Sequence, residues 1–309
     1  MTRNFEPIIK WSGSKRSMAP ALSRLFPQGG NFFDPFVGGG AILPYRSPGP
    51  AFAGDIIEEL IKLWQFIVTD PDGVADGYTK RWHRLQAEGH TAYYDIRSTF
   101  NRDRDPLDLL FLSRTCVNGL IRFNSNGDFN NSLHHTRPGI APERLRGALL
   151  RWSMNLKGVT FRTADYRDTL SNAKKGDVVF LDPPYACNKG RYKIDTFNTD
   201  EFFNELERLN GIGVYWVLTF DGHAGKRFYE GGVPEGIANV RLAIPTGNSP
   251  FTRLMRTTLD AVVESVYLNF NPASEALREF TQLSTNPRYL GATENVKQGT
   301  LLPRDKLHS

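Results

Sequence analysis

Short apolar runs alternate with amphipathic stretches along this chain. Asn31–Phe36 and Ala51–Gly54 read as strands, the second ending at Asp55. From Ile56 onward, Ile57, Leu60, Ile61 and Trp64 recur at helical spacing and predict a helix with one face on a sheet. The rhythm changes near Asp70. From there to Asn118 β-branched runs are scarce, and Pro106 opens an apolar helix containing Leu107, Leu110, Phe111 and Leu112. Asn126-Gly127, set between Arg122-Phe123-Asn124 and Asp128-Phe129-Asn130, is a hairpin signal. Leu145, Ala148, Leu149, Trp152 and Leu156 then mark an amphipathic helix whose stripe reads as core.

Strand signals return at Val159–Arg162, Asp177–Asp182, Gly213–Phe220 and Ala261–Phe270. Between them a helix capped by Thr199 or Asp200 turns Phe202, Phe203, Leu206 and Leu209 to the sheet. The reading is an α/β fold whose catalytic core is interrupted by a mostly helical layer. After Asn271 the chain turns polar and turn-rich, and residues 271–309 read as an extension without chemistry.

Charge changes the picture more than length does. The 309 residues carry a formal net charge of +5. Between residues 110 and 157, Arg114, Arg122, Arg137, Arg144, Arg146, Arg151 and Lys157 face only Asp128 and Glu143, a local excess that matches the whole chain's. That segment is the expected contact for a polyanion. Cys116 and Cys187 have neither metal nor disulfide-scaffold spacing, and His134-His135 lacks a third ligand, so no metal site is expected. The start of the chain has no signal-peptide run and nothing later reaches the length of a membrane span, so a reduced, cytoplasmic setting and no membrane partner are expected.

The sharpest chemical feature is Val178-Val179-Phe180-Leu181 running into Asp182-Pro183-Pro184-Tyr185. The prolines stop sheet and helix alike, which fixes a carboxylate and a phenol at the strand's carboxyl end, where open α/β sheets bind ligands. An Asp beside an aromatic ring suits a base with an exocyclic amino group, as amino methylation requires. Upstream, Lys10-Trp11-Ser12-Gly13-Ser14-Lys15 precedes a helix, and Asp34-Pro35-Phe36-Val37-Gly38-Gly39-Gly40 follows a strand. This loop lacks the dinucleotide Gly-x-Gly-x-x-Gly spacing, and Asp55 at the next strand tip is placed to accept from ribose hydroxyls.

In that order, Lys-Trp-x-Gly-x-Lys, Asp-Pro-Phe-x-Gly-Gly-Gly, Asn118-Gly119-Leu120-Ile121-Arg122 and Asp-Pro-Pro-Tyr, the chain resembles the alpha-group DNA adenine-N6 methyltransferases, the Dam and EcoRV-type modification enzymes. The likeness spans roughly residues 8–270, and Asp105–Asn130 is similar to the EcoRV-type members in particular. It implies a Rossmann-like core that uses S-adenosyl-L-methionine, with an inserted target-recognition domain bearing a β-hairpin. The division would be 1–56 with 158–270 as the catalytic domain, and 57–157 for recognition. The substrate would be a flipped-out adenine in a short double-stranded DNA site resembling GATC or GATATC. A restriction endonuclease would be a functional rather than a physical companion.

Carried over by position, Asp182, Pro183, Pro184 and Tyr185 match the catalytic motif. Trp11, Lys15, Asp34, Phe36, Gly38, Gly39, Gly40, Asp55 and Asp182 match cofactor contacts. Lys10, Asn118 and Arg122 match DNA contacts; Asn124, Asn126 and Arg137 join them from the hairpin and the basic segment. Arg122 would pair bidentately with guanine and Asn124 with adenine. The chain departs from the family at Val117, at Asn131-Ser132 and at Leu218-Thr219-Phe220-Asp221. The alternatives are amino methylation of cytosine N4 or of RNA, and a non-catalytic DNA-binding relative; absence of a Pro-Cys pair opposes cytosine carbon-5 chemistry.

Overall fold

The apolar runs form the centre of one sheet because side chains alternate across it and both faces are covered. In chain order the strands are β1 (Phe32–Asp34), β2 (Ala51–Asp55), β3 (Val159–Thr163), β4 (Val178–Leu181), β5 (Tyr215–Ala224), β6 (Arg227–Phe228), β7 (Val240–Gly247) and β8 (Val262–Leu268). Phe32, Val178 and Phe180 point into one core, Phe33, Val179 and Leu181 into the other. The structure is a computed structural model that describes residues 5–11, 13–134, 136, 139–184, 197–224, 227–228, 232–247 and 262–284.

Among these residues the sheet order is β3-β2-β1-β4-β5-β8-β7, with β6 paired on β5. The first five strands of that order are mutually parallel, whereas β8 is antiparallel to both β5 and β7. Strand order reverses between β1 and β4. The carboxyl ends of these two strands therefore flank the crevice in which doubly wound sheets bind ligands.

The helices are α1 (Ala19–Leu22), α2 (Glu58–Thr69), α3 (Pro71–Glu88), α4 (His90–Asp103), α5 (Pro106–Thr115), α6 (Pro142–Asn155), α7 (Tyr166–Leu170), α8 (Thr199–Ile212) and α9 (Ser274–Ser284). Two of the long ones start alike: Asp70 accepts from the Gly73 amide at 2.9 Å and Asp105 from that of Leu107 at 2.8 Å, each with proline at the first helical position. α2 sets Leu60, Ile61, Leu63, Trp64 and Ile67 in the core and packs on β2 and β3, then against α5 and α6. α3, α4 and α5 pack on one another, and the core runs from the sheet into this helical layer without a break. α8 covers the other face through Phe202, Leu206 and Leu209. No helix of the described residues is long and apolar enough to cross a membrane.

Several elements differ from expectation. The helix after Lys15 has four residues and passes into a 3-10 turn at Ser23–Leu25. The cap of α8 is Asn198, whose side chain accepts from the amides of Asp200 and Glu201, rather than Thr199 or Asp200. β7 went unanticipated; among its described side chains Leu242 and Ile244 are buried and Val240 packs against the core. Within the polar stretch after Asn271, α9 forms and buries Phe280 against α1 and the 3-10 turn. Leu277, Phe280 and Leu283 recur at helical spacing and form its apolar face, a short amphipathic signal that the polar composition around it masked.

Candidate active site at the carboxyl edge of the sheet

Three strands deliver carboxylates to one edge: β1 ends on Asp34, β2 on Asp55, and β4 leads into Asp182. Asp34 is buried, its Oδ1 has no hydrogen-bond partner, and burial followed by the charges of Asp182 and Asp55 holds its pKa well above the usual carboxylate range. Asp55 accepts from the Gly38 amide at 3.2 Å and the Ile57 amide at 3.1 Å, and burial pushes its pKa up to about 6. Asp182 follows Leu181, which pairs in register with Leu218, so Thr219 is its cross-strand neighbour. The buried Thr219 hydroxyl donates to Asp182 Oδ1 at 2.8 Å.

Lys15 is the counterion of this edge and is only 3% exposed. Its Nζ lies 3.0 Å from Asp182 Oδ1 and 3.5 Å from Glu264 Oε2, and donates to the Gly13 carbonyl at 3.1 Å. Burial raises the pKa of Glu264, and Lys15 partly offsets the shift. Two carboxylates, Asp182 and Glu264, thus flank one ammonium, while Asp34 and Asp55 end the two neighbouring strands. Sequence reasoning missed Thr219 and Glu264. Glu264 did carry a signal, a charge inside Val262-Val263-Glu264-Ser265-Val266; Thr219 stood out only as part of a departure from the family pattern, with nothing tying it to Asp182.

The glycine loop owes its composition to tryptophan. A Cβ on Gly38 would sit 2.7 Å from Trp11 Nε1, one on Gly39 3.0 Å from Trp11 Cβ, and one on Gly40 2.9 Å from Trp64 Cζ2. Gly38 and Gly40 also hold positive φ, at 44° and 65°. Trp64 Nε1 donates to the Gly38 carbonyl at 3.0 Å, which locks the loop to α2. Phe36, next along, stacks on Tyr166 at 5.5 Å between ring centroids. Pro183 and Pro184 continue the chain at this edge, while Tyr185 lies outside the described residues.

Lys10 extends from Trp11 to a second feature. A Cβ on Gly119 would meet Lys10 Cδ at 2.4 Å, so the lysine stem lies across the Asn118-Gly119 elbow. Asn118 there adopts a left-handed φ of 57°, uncommon for a residue with a side chain. Asn131 fastens the elbow by donating from Nδ2 to the carbonyls of Val117 and Leu120. One departure from the family pattern is therefore a structural clasp.

Beyond the elbow, Phe123 and Phe129 form an antiparallel bridge around a turn at Asn124–Asp128. The Asn124 side chain accepts from the amides of Asn126 and Asp128, so its oxygen shapes the turn. Arg122 is exposed and donates through Nε to Asn130 Oδ1 at 2.8 Å. Arg137 lies outside the described residues. The local positive excess shrinks in three dimensions: Arg114 is buried, Arg144 pairs with Glu6, and Arg146 pairs with Asp72 and Asp76. Those acids come from outside the 110–157 window, which is why a linear charge count could not see them.

A mixed sheet with a switch point, a glycine loop and carboxylates at the carboxyl ends of its parallel strands defines an α/β protein with a candidate ligand site at that edge. Residues 11–214 match the family described as D12 class N6 adenine-specific DNA methyltransferase. A DNA adenine methylase of Serratia marcescens is 30% identical over 200 residues, covering 63% of this chain and 72% of that protein. A type II methyltransferase of Lactococcus lactis subsp. cremoris is 30% identical over 238 residues, covering 70% of this chain and 81% of its own. A DNA adenine methylase of Vibrio cholerae is 30% identical over 239 residues, at 72% and 84%. The chain belongs to the D12 class of N6 adenine-specific DNA methyltransferases. It is a methyltransferase acting on DNA adenine, and its mixed α/β sheet is consistent with that family.

Proposed function

We propose that the enzyme uses S-adenosyl-L-methionine to methylate N6 of an adenine flipped out of a short double-stranded site, with Asp182 as the central acceptor. The carrying observation is Asp182 at the switch point, held by Lys15 and Thr219 beside the buried Asp34, whose Oδ1 has no hydrogen-bond partner. The acidic edge fits this donor, which bears a sulfonium and an ammonium against one carboxylate. Trp11, Lys15, Asp34, Phe36, Gly38, Gly39, Gly40 and Asp55 line its place, with Asp55 accepting from the ribose. When bound, the donor supplies an electrophilic methyl group.

The amino lone pair of adenine is delocalised into the ring and is a weak nucleophile. Asp182 and the Pro183 carbonyl accept its two hydrogens, which draws the nitrogen toward tetrahedral geometry and returns the lone pair to it. Pro184 stiffens the strand end, and Tyr185 stacks on the base. As the N–C bond forms, the C–S bonding pair stays on sulfur as a thioether, and the amino group's surplus proton passes along its hydrogen bond to Asp182 and from there to solvent. Positioning and fixed charge do the rest, and neither metal nor covalent intermediate is required.

Residues 1–56 and 158–270 serve as the catalytic domain and 57–157 as the recognition domain. Lys10, Asn118 and Arg122 are the DNA readers, with Asn124 and Asn126 shaping the turn that presents Arg122, and Arg137 adding phosphate contact. The test is incubation with methyl-labelled S-adenosylmethionine and unmethylated genomic DNA, followed by nucleoside analysis and mapping of modified positions. Label in N6-methyladenine at one motif, lost in Asp182→Ala while DNA binding persists, supports the reading. Label in N4-methylcytosine, or normal turnover in Asp182→Ala, overturns it.

A further inference from the structure

Two donors converge on one oxygen of Asp182. The Thr219 hydroxyl reaches Oδ1 at 2.8 Å and Lys15 Nζ reaches the same atom at 3.0 Å. Each arrives from a different part of the fold: Thr219 from β5, Lys15 from the segment ahead of α1. Lys15 is held in turn by the Gly13 carbonyl and by Glu264 on β8, the antiparallel strand alongside β5. The Glu264 Oε2 atom is itself shielded from solvent and faces the ammonium.

A carboxylate on a freely turning side chain presents either oxygen to substrate, and a lysine shared by several acids settles on whichever is nearest. Here neither freedom remains. We propose that Thr219 and Glu264 are positioning residues for methyl transfer: Thr219 locks the Asp182 carboxylate, Glu264 locks the lysine that shares its Oδ1, and Oδ2 is thereby the atom turned to the adenine amino group. The inference rests on Asp182 being the amino-group acceptor.

The test uses the full chain and single-turnover methyl transfer with labelled donor, alongside equilibrium binding of donor and DNA and thermal melting. Thr219→Val keeps the shape and removes the donor; it is expected to slow transfer about a hundredfold, the cost of an ångström of misplacement, with both binding constants unchanged. Thr219→Ser restores the hydroxyl and most of the rate. Glu264→Gln is expected to slow transfer about tenfold while melting normally. Full rate in Thr219→Val or in Glu264→Gln overturns the proposal, as does a loss in Thr219→Val that tracks weakened binding and that Thr219→Ser fails to rescue. If Thr219→Val does not fold, Glu264→Gln decides alone. Should Asp182→Ala itself turn over normally, the reading of Asp182 fails first; a dead Asp182→Ala beside an unaffected Thr219→Val sinks only this inference.

Discussion

Lys15 and Asp182, drawn from the start and the middle of the chain, meet at 3.0 Å with the lysine almost wholly buried. An ammonium withdrawn from water persists only when the acids around it offset its desolvation, and those acids in turn depend on it. Lys15→Met leaves Asp182 and Glu264 without their cation. The expected result is a loss of about 3 kcal/mol at pH 8, read by denaturant titration, with methyl transfer abolished. The stability loss shrinks as pH falls, because Glu264, whose pKa burial already raises, takes up a proton once its cation is gone; a loss independent of pH would remove electrostatics as its cause.

Asp55 predicts a pH dependence of donor binding. Its pKa is raised by burial from 3.8 to about 6, so the folded protein holds that proton more tightly than the unfolded chain. Stability from this group is complete below pH 4 and is lost as pH rises through about 6. Asp55→Asn is therefore expected to stabilise the free enzyme by about 2 kcal/mol at pH 8 and to change little at pH 4. Donor affinity runs the other way. It rises through pH 6 as the carboxylate ionises, and calorimetry on Asp55→Asn should find that rise flattened.

Gly40 turns through a left-handed φ against the edge of Trp64, with Trp152 also within contact. Gly40→Ala combines backbone strain with overpacking at an indole that cannot retreat from a buried core, at a cost of about 3 kcal/mol in thermal unfolding. A variant as stable as the parent would show that the loop relaxes.

Arg122 and Arg146 separate reading from ballast. Arg122 is exposed at the turn, whereas Arg146 is paired with Asp72 and Asp76. Arg122→Ala is expected to relax preference at one base by about 1–3 kcal/mol in competition binding. Arg146→Ala should leave DNA affinity and its salt slope unchanged. The reverse pattern would reassign the recognition surface.

Phe280 ties α9 to α1, whose first turn is capped by the Lys15 carbonyl accepting from the amides of Met18 and Ala19. Phe280→Ala is expected to cost about 3 kcal/mol and to speed amide exchange through Ser274–Ser284. Unchanged exchange there would mean that α9 is held by something else.

Local pattern determined a good deal. The strands at Ala51–Asp55 and Val178–Leu181, the helices after Asp70 and Asp105, and the acids and glycines at the strand ends were legible, because periodicity, proline and capping residues act within a few positions. The family likewise followed from four short motifs in order. Only the tertiary structure decided what depends on distant partners. Trp11 and Trp64 explain the glycines, and Asn131 explains a departure from the family pattern. Glu6, Asp72 and Asp76 cancel charges that a linear count left standing. Thr219 and Glu264 acquire their place at Asp182 through the register of β4, β5 and β8, and strand register is a long-range property that the composition of either strand does not carry.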